Sequence, residues 1–184
     1  MNKQKVGVVW SHSIKSLLPG TWVNDEPVNF VGGLLNLMCR DDCLHPGTKQ
    51  QSYFIFPTTF ITQLLNKSGH FSDGEYTYAR VIQYTHTARK DINIFTFDKV
   101  FVPINFQNLH WYFAMINMRE KTIQIYNSSD VGELQANRDL HHLLHYLRDE
   151  HKRIKDPAAP PLLDQWKLIK NQRRITPSQK NSMF

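Results

Sequence analysis

From Val28 to Cys39 the chain reads VNFVGGLLNLMC, a nearly unbroken apolar run after the acidic turn Asn24–Pro27, and it predicts a buried helix. The adjacent Gly32 and Gly33 lower helix propensity and suit close packing against a neighbour. Arg40–Ser52 is polar, contains Pro46 and Gly47, and reads as a loop. Pro57 fits the first turn of a helix running to about Asn66, with Phe60, Ile61, Leu64 and Leu65 turned inward. Tyr76–Thr87 reads as another helix, although it is rich in Thr, Tyr and Val.

The period changes after Lys99. Val100–Asn105, Trp111–Met118 and Thr122–Asn127 are β-branched and aromatic runs separated by Gln107–Asn108 and Arg119–Lys121. They read as adjacent strands in the middle of a sheet, the last two as a hairpin. Asn137 is placed to cap a helix whose Leu140, Leu143, Leu144 and Leu147 fall at i, i+3, i+4 and i+7. Asp156–Pro161 ends that region, and Trp166–Ile169 reads as one more strand. Helices, then strands, then helix predict an α+β domain with a central mixed sheet flanked by helices.

Composition narrows the class. The 184 residues suit one domain, residues 1–184, with no internal repeat and no dividing linker. A 41% hydrophobic content excludes a disordered chain, and no run approaches the roughly 18 apolar residues of a membrane span. Two cysteines do not make a disulfide framework, which points to the nucleus or cytoplasm with reduced thiols. The net charge of +6 is uneven: Arg148–Phe184 holds nine Lys or Arg against four Asp or Glu. A solvated basic terminus explains that skew, and nucleic acid is not the expected partner.

Candidate chemistry begins at His110, where a strand starts beside Trp111 after the loop Asn105–Leu109. A histidine there suits a general base, because its neighbours can tune its pKa near neutrality. If the last two of the three strands form a hairpin, Asn127 returns close to His110. There an amide can orient the imidazole and fix its tautomer. Asn carries no charge to stabilise an imidazolium. His141 and His145 have metal-compatible i, i+4 spacing, but no Cys or carboxylate completes a site nearby, so a solvent-facing helix surface is expected. There is no zinc-type C-x-x-C, phosphate loop or serine elbow, and neither metal nor cofactor is expected.

Five boxes, in order, carry a family resemblance. Trp22-Val-Asn-Asp25-Glu-Pro-Val-Asn-Phe30 opens the series, and Phe54-Ile-Phe-Pro-Thr-Thr-Phe60 follows. Asp98-Lys-Val-Phe-Val-Pro-Ile-Asn105 leads to His110-Trp111 and Ala114-Met-Ile-Asn117, then to Ile125-Tyr-Asn-Ser128. Pro177-Ser-Gln-Lys-Asn-Ser182 closes it. Together they resemble the ubiquitin-like-protein (SUMO) cysteine proteases over most of the chain. The resemblance implies a papain-like fold and cleavage after a C-terminal Gly-Gly. It makes His110 the general base, Asn127 the orienter in place of the family's Asp, and Gln179 an oxyanion-hole donor. Trp22 and Trp111 would clamp the Gly-Gly tail in a tunnel that only glycine threads. Asp25 would pair with a basic group on SUMO or another ubiquitin-like modifier.

The same resemblance places the nucleophilic Cys six residues after Gln179, beyond Phe184, so the domain is expected to be C-terminally incomplete and inactive as written. Neither cysteine is a good substitute. Cys39 lies toward the C-terminal end of the predicted helix, where the dipole disfavours a thiolate, and Cys43 follows Asp41 and Asp42, whose charges raise a thiol's pKa. A non-catalytic binder of a ubiquitin-like modifier is the alternative.

Overall fold

The computed structural model describes residues 9–42, 52–66, 74–88, 90–154 and 165–170. Helices α1 (Ser11–Ile14) and α2 (Asp25–Asp42) come first, followed by strand β1 (Tyr53–Ile55) and helix α3 (Thr59–Leu64). A short helix α4 (Ile82–Thr85) leads into a small antiparallel pair, β2 (His86–Thr87) and β3 (Lys90–Asp91). Strands β4 (Lys99–Phe106), β5 (His110–Asn117) and β6 (Thr122–Tyr126) then precede the long helix α5 (Glu133–Ile154) and strand β7 (Lys167–Ile169).

Five strands form one mixed sheet in the order β1-β4-β5-β6-β7. The two hairpins make β4, β5 and β6 antiparallel, while the outer pairs β1–β4 and β6–β7 are parallel. Parallel neighbours need a crossover, and α5 supplies the one between β6 and β7. The central mixed sheet flanked by helices is the architecture that the hydrophobic pattern predicts.

Alternation along the strands gives the sheet two unlike faces. On one face Val100, Val102, Ile104, Tyr112, Ala114, Ile116, Ile123 and Ile125 are buried. They share a core with Phe60, Ile61 and Leu64 of α3 and Leu140, Leu143 and Leu147 of α5. Phe60 stacks on Phe56 at 3.9 Å and meets Tyr146 edge-on at 4.9 Å, tying the two helices together. The opposite face carries Phe101, Pro103, Trp111 and Phe113, which with Val28 and Leu35 of α2 line an apolar groove of about 570 Å³.

Polar side chains fasten α2 to the edge strand β1. Asn36 Oδ1 accepts from Ile55 N at 2.8 Å and its Nδ2 donates to Ile55 O at 2.8 Å. Cys39 Sγ accepts from Tyr53 N at 3.2 Å, and Asn29 Oδ1 accepts from Thr58 N at 2.8 Å. These contacts satisfy groups that an edge strand would otherwise present to other chains. Gly32 permits the approach, since a Cβ there would stand 3.2 Å from Ile55 Cγ2.

The structure corrects four of the expected elements. The first helix begins at Asp25 and not after Pro27, with proline tolerated in its first turn. It is also only half-buried: Val31, Leu34 and Met38 are exposed on its far side. Tyr76–Thr87 is a 3₁₀ turn, the four-residue α4 and strand β2, because its phenols bind α5 directly: Tyr76 donates to Asp149 at 2.8 Å and Tyr78 to Glu150 at 2.5 Å. Asn137 lies inside α5, which starts four residues earlier at Glu133. Finally, the helix after Pro57 ends at Leu64, two residues short of Asn66, although its four inward residues are all buried as expected. No helix among the described residues is long and apolar enough to cross a membrane.

Candidate active site

The β4–β5 hairpin delivers His110. Gln107 and Asn108 adopt left-handed φ of 55° and 58°, and Asn108 N donates to Asn105 Oδ1 at 2.7 Å. This tight reversal pairs His110 with Phe106 and begins β5 at the histidine. Its side chain points to the sealed face and is only 3% exposed.

The end of β6 brings Asn127 to the same place. Asn127 Oδ1 lies 2.6 Å from His110 Nε2 and also accepts from Ser129 N at 3.1 Å, while Nδ2 donates to Val131 O at 3.1 Å. Turning the amide over would set its NH₂ against the Ser129 N–H. The oxygen therefore faces the imidazole, and the bond requires Nε2 to carry the proton. In the neutral ring Nδ1 is then the basic nitrogen, as proton abstraction requires. The pair expected from hairpin geometry is thus formed.

Behind it stands a second polar pair. Tyr112, two residues along β5, donates its hydroxyl to buried Asp139 Oδ2 at 2.6 Å, and Gln135 Nε2 donates to Asp139 Oδ1 at 2.9 Å. Burial and the Asp139 carboxylate hold the Tyr112 phenol far above its usual pKa. The contact anchors the start of α5 to the strand that carries His110. The hydrophobic pattern does not predict this contact; its sequence signal is an Asp at 139 within the apolar period of the helix, beside Leu140.

Trp111 faces the opposite way and lines the groove. Its Nε1 donates to Val23 O at 2.7 Å, which joins it to the segment bearing Trp22 and Asp25. Trp22 is 48% exposed, and Asp25 is exposed at the first position of α2. Glu26 Oε2 accepts from Trp10 N at 3.2 Å; Ser13 and this N–H lower its carboxyl pKa and hold α1 against α2. The structure thus ties Trp111 to the segment that bears Trp22 and Asp25, and on the other side of the strand it brings His110 together with Asn127. Gln179 and Cys43 lie outside the described residues. Cys39 is buried, with its sulfur taken up by Tyr53 N. His141 and His145 are on the exposed side of α5, His145 edge-on to Tyr76. The described residues contain no group of three or more potential metal ligands.

Residues 21–183 match the model of the Ulp1 protease family, C-terminal catalytic domain. The chain belongs to this family. As an Ulp1-family domain it is 32% identical over 115 residues to ubiquitin-like-specific protease 1A of Arabidopsis thaliana, covering 62% of this chain and 21% of that protein. It is 31% identical over 142 residues to sentrin-specific protease 2 of Homo sapiens, covering 76% and 20%. The chain therefore spans about a fifth of the length of these curated relatives. Its fold is similar to that of the SUMO protease Ulp1 with the catalytic cysteine oxidised to a sulfenic acid, with a TM-score of 0.62 at 23% identity over 95% of this chain and 68% of that one. It is also similar to the C-terminal Ulp1 protease domain solved in complex with SMT3, the yeast ortholog of SUMO: TM-score 0.59, 23% identity, 92% and 63% covered.

Proposed function

We propose that this Ulp1-family domain serves cysteine-type hydrolysis of the bond after the C-terminal Gly-Gly of SUMO or another ubiquitin-like modifier, inside the cell in the nucleus or cytoplasm. The buried 2.6 Å contact between His110 Nε2 and Asn127 Oδ1 carries the reading. It supports a base that takes a thiol proton on Nδ1 and returns it to the leaving amine. Gln179 is the proposed oxyanion donor. Trp22 and Trp111 are the proposed walls of the Gly-Gly tunnel, a reading supported by the bond from Trp111 to Val23, the residue after Trp22. Asp25, exposed at the start of α2, is the proposed partner of a basic group on the modifier.

That hydrolysis needs a thiol presented to His110 Nδ1, and for a polypeptide of these 184 residues alone we propose binding of the modifier without cleavage. Its two cysteines are Cys39 and Cys43; Cys39 is spent on the edge of β1, and Cys43 follows two aspartates. Incubation with a SUMO precursor, read by gel shift, should show no cleavage above a His110→Ala control. Turnover above that control overturns this reading.

A further inference from the structure

We propose that the loop from Asn127 to Gly132 accepts only an amide beside His110, and that Ser129 is the positioning residue that enforces it. This rests on the reading of His110 as a base, and it concerns how that base is held. Three hydrogen bonds form a closed circuit. Ser129 N donates to Asn127 Oδ1, Asn127 Nδ2 donates to Val131 O, and Val131 N donates to Ser129 Oγ at 3.2 Å. The hydroxyl of Ser129 thus holds the Val131 peptide unit whose neighbouring carbonyl receives the amide of Asn127.

The loop has little room to relax. Gly132 has φ +74°, and a Cβ there would stand 2.9 Å from the Phe106 ring, in the residue paired with His110. Gly132 O accepts from Ala136 N at 2.8 Å, which fastens the loop to the first turn of α5. Asn127 itself is 8% exposed. An ionised aspartate at 127 keeps the acceptor toward His110 and Ser129 but turns its second oxygen onto the Val131 carbonyl. Two acceptors then face each other about 3 Å apart with little water between them, an arrangement that costs more than the lost bond alone. Asn127 is therefore a fitted part of the site, and it orients the imidazole without charging it.

The test uses the unliganded chain. The Asn127→Asp variant at pH 8.5, where the introduced carboxyl is ionised, should melt about 4–8 °C lower than wild type. Amide exchange at Ser129 and Val131 should accelerate about tenfold or more. Ser129→Ala should speed exchange at Val131 and broaden the His110 Nε2–H signal in imidazole ¹⁵N spectra, and Ser129→Thr should restore both. An unchanged or raised melting temperature for Asn127→Asp, with full protection of the loop, overturns the proposal. So does an unaltered His110 imidazole spectrum in Ser129→Ala. Neither readout depends on a modifier or on hydrolysis, so failure here is separable from failure of the functional reading.

Discussion

The two faces of the five-stranded sheet are made from the same strands and put to opposite uses. On the sealed face, Val100, Val102, Ala114, Ile116 and Ile123 have no solvent exposure. On the other, Phe113 is 39% exposed and stacks on Tyr126, 4.8 Å away and nearly parallel. His110 and Trp111 are neighbours in sequence, so the strand period sends them to different faces. The histidine is held by Asn127 after β6, and the strand that carries it is held by α5 through Tyr112 and Asp139. The tryptophan is held by the segment leading into α2 and stays beside an apolar groove. The buried His110–Asn127 pair lies on the stable side of the molecule, and the apolar groove beside Trp111 on the accessible side.

That division can be broken directly. Ile116→Ala on the sealed face should cost about 2–5 kcal/mol in chemical denaturation. Phe113→Ala, three residues earlier on the open face, should cost about 1 kcal/mol or less. Equal losses would mean that the open face is as much a core as the sealed one. Asn36→Leu, which removes both hydrogen bonds from α2 to Ile55, should cost about 1–3 kcal/mol and accelerate amide exchange at Ile55.

A smaller effect is expected at Asp98, which stands at the entrance to β4. Its partial burial raises the carboxyl pKa, but the Ser52 N–H, 2.8 Å away, and the Arg119 guanidinium outweigh that and hold it below the usual carboxylate range. A depressed carboxylate pKa stabilises the fold above the unfolded value and loses that contribution as pH falls through the folded one. Asp98→Asn should therefore be less stable than wild type by about 1 kcal/mol at pH 7. The gap should close as the pH falls through the depressed pKa of Asp98.

Much of this was legible from residue order. The strands are legible as β-branched and aromatic runs broken by short polar turns, and β4, β5 and β6 lie within a residue or two of their expected limits. The His110–Asn127 pair followed from the hairpin, because strand length fixes where a returning chain ends. Contacts that depend on backbone groups left no such trace. Val23 O, Ser129 N and Val131 O act as peptide units, and residue type says nothing of them. Tertiary demand also overrode local preference. Tyr76 and Tyr78 serve α5 by their hydroxyls, so their segment is not the helix its length suggested. Asn137 is a plausible cap by type, yet the circuit at Asn127–Gly132 starts α5 earlier.

In the function proposed above, the outward face at Trp111 and Trp22 grips a ubiquitin-like tail while the sealed face holds the base. Isothermal calorimetry of the 184-residue chain with mature SUMO ending in Gly-Gly tests it most directly. Saturable binding that weakens at least tenfold in Trp111→Ala, with the fold retained, is the predicted result. Absence of binding by the wild-type chain, or equal affinity in the variant, would contradict it.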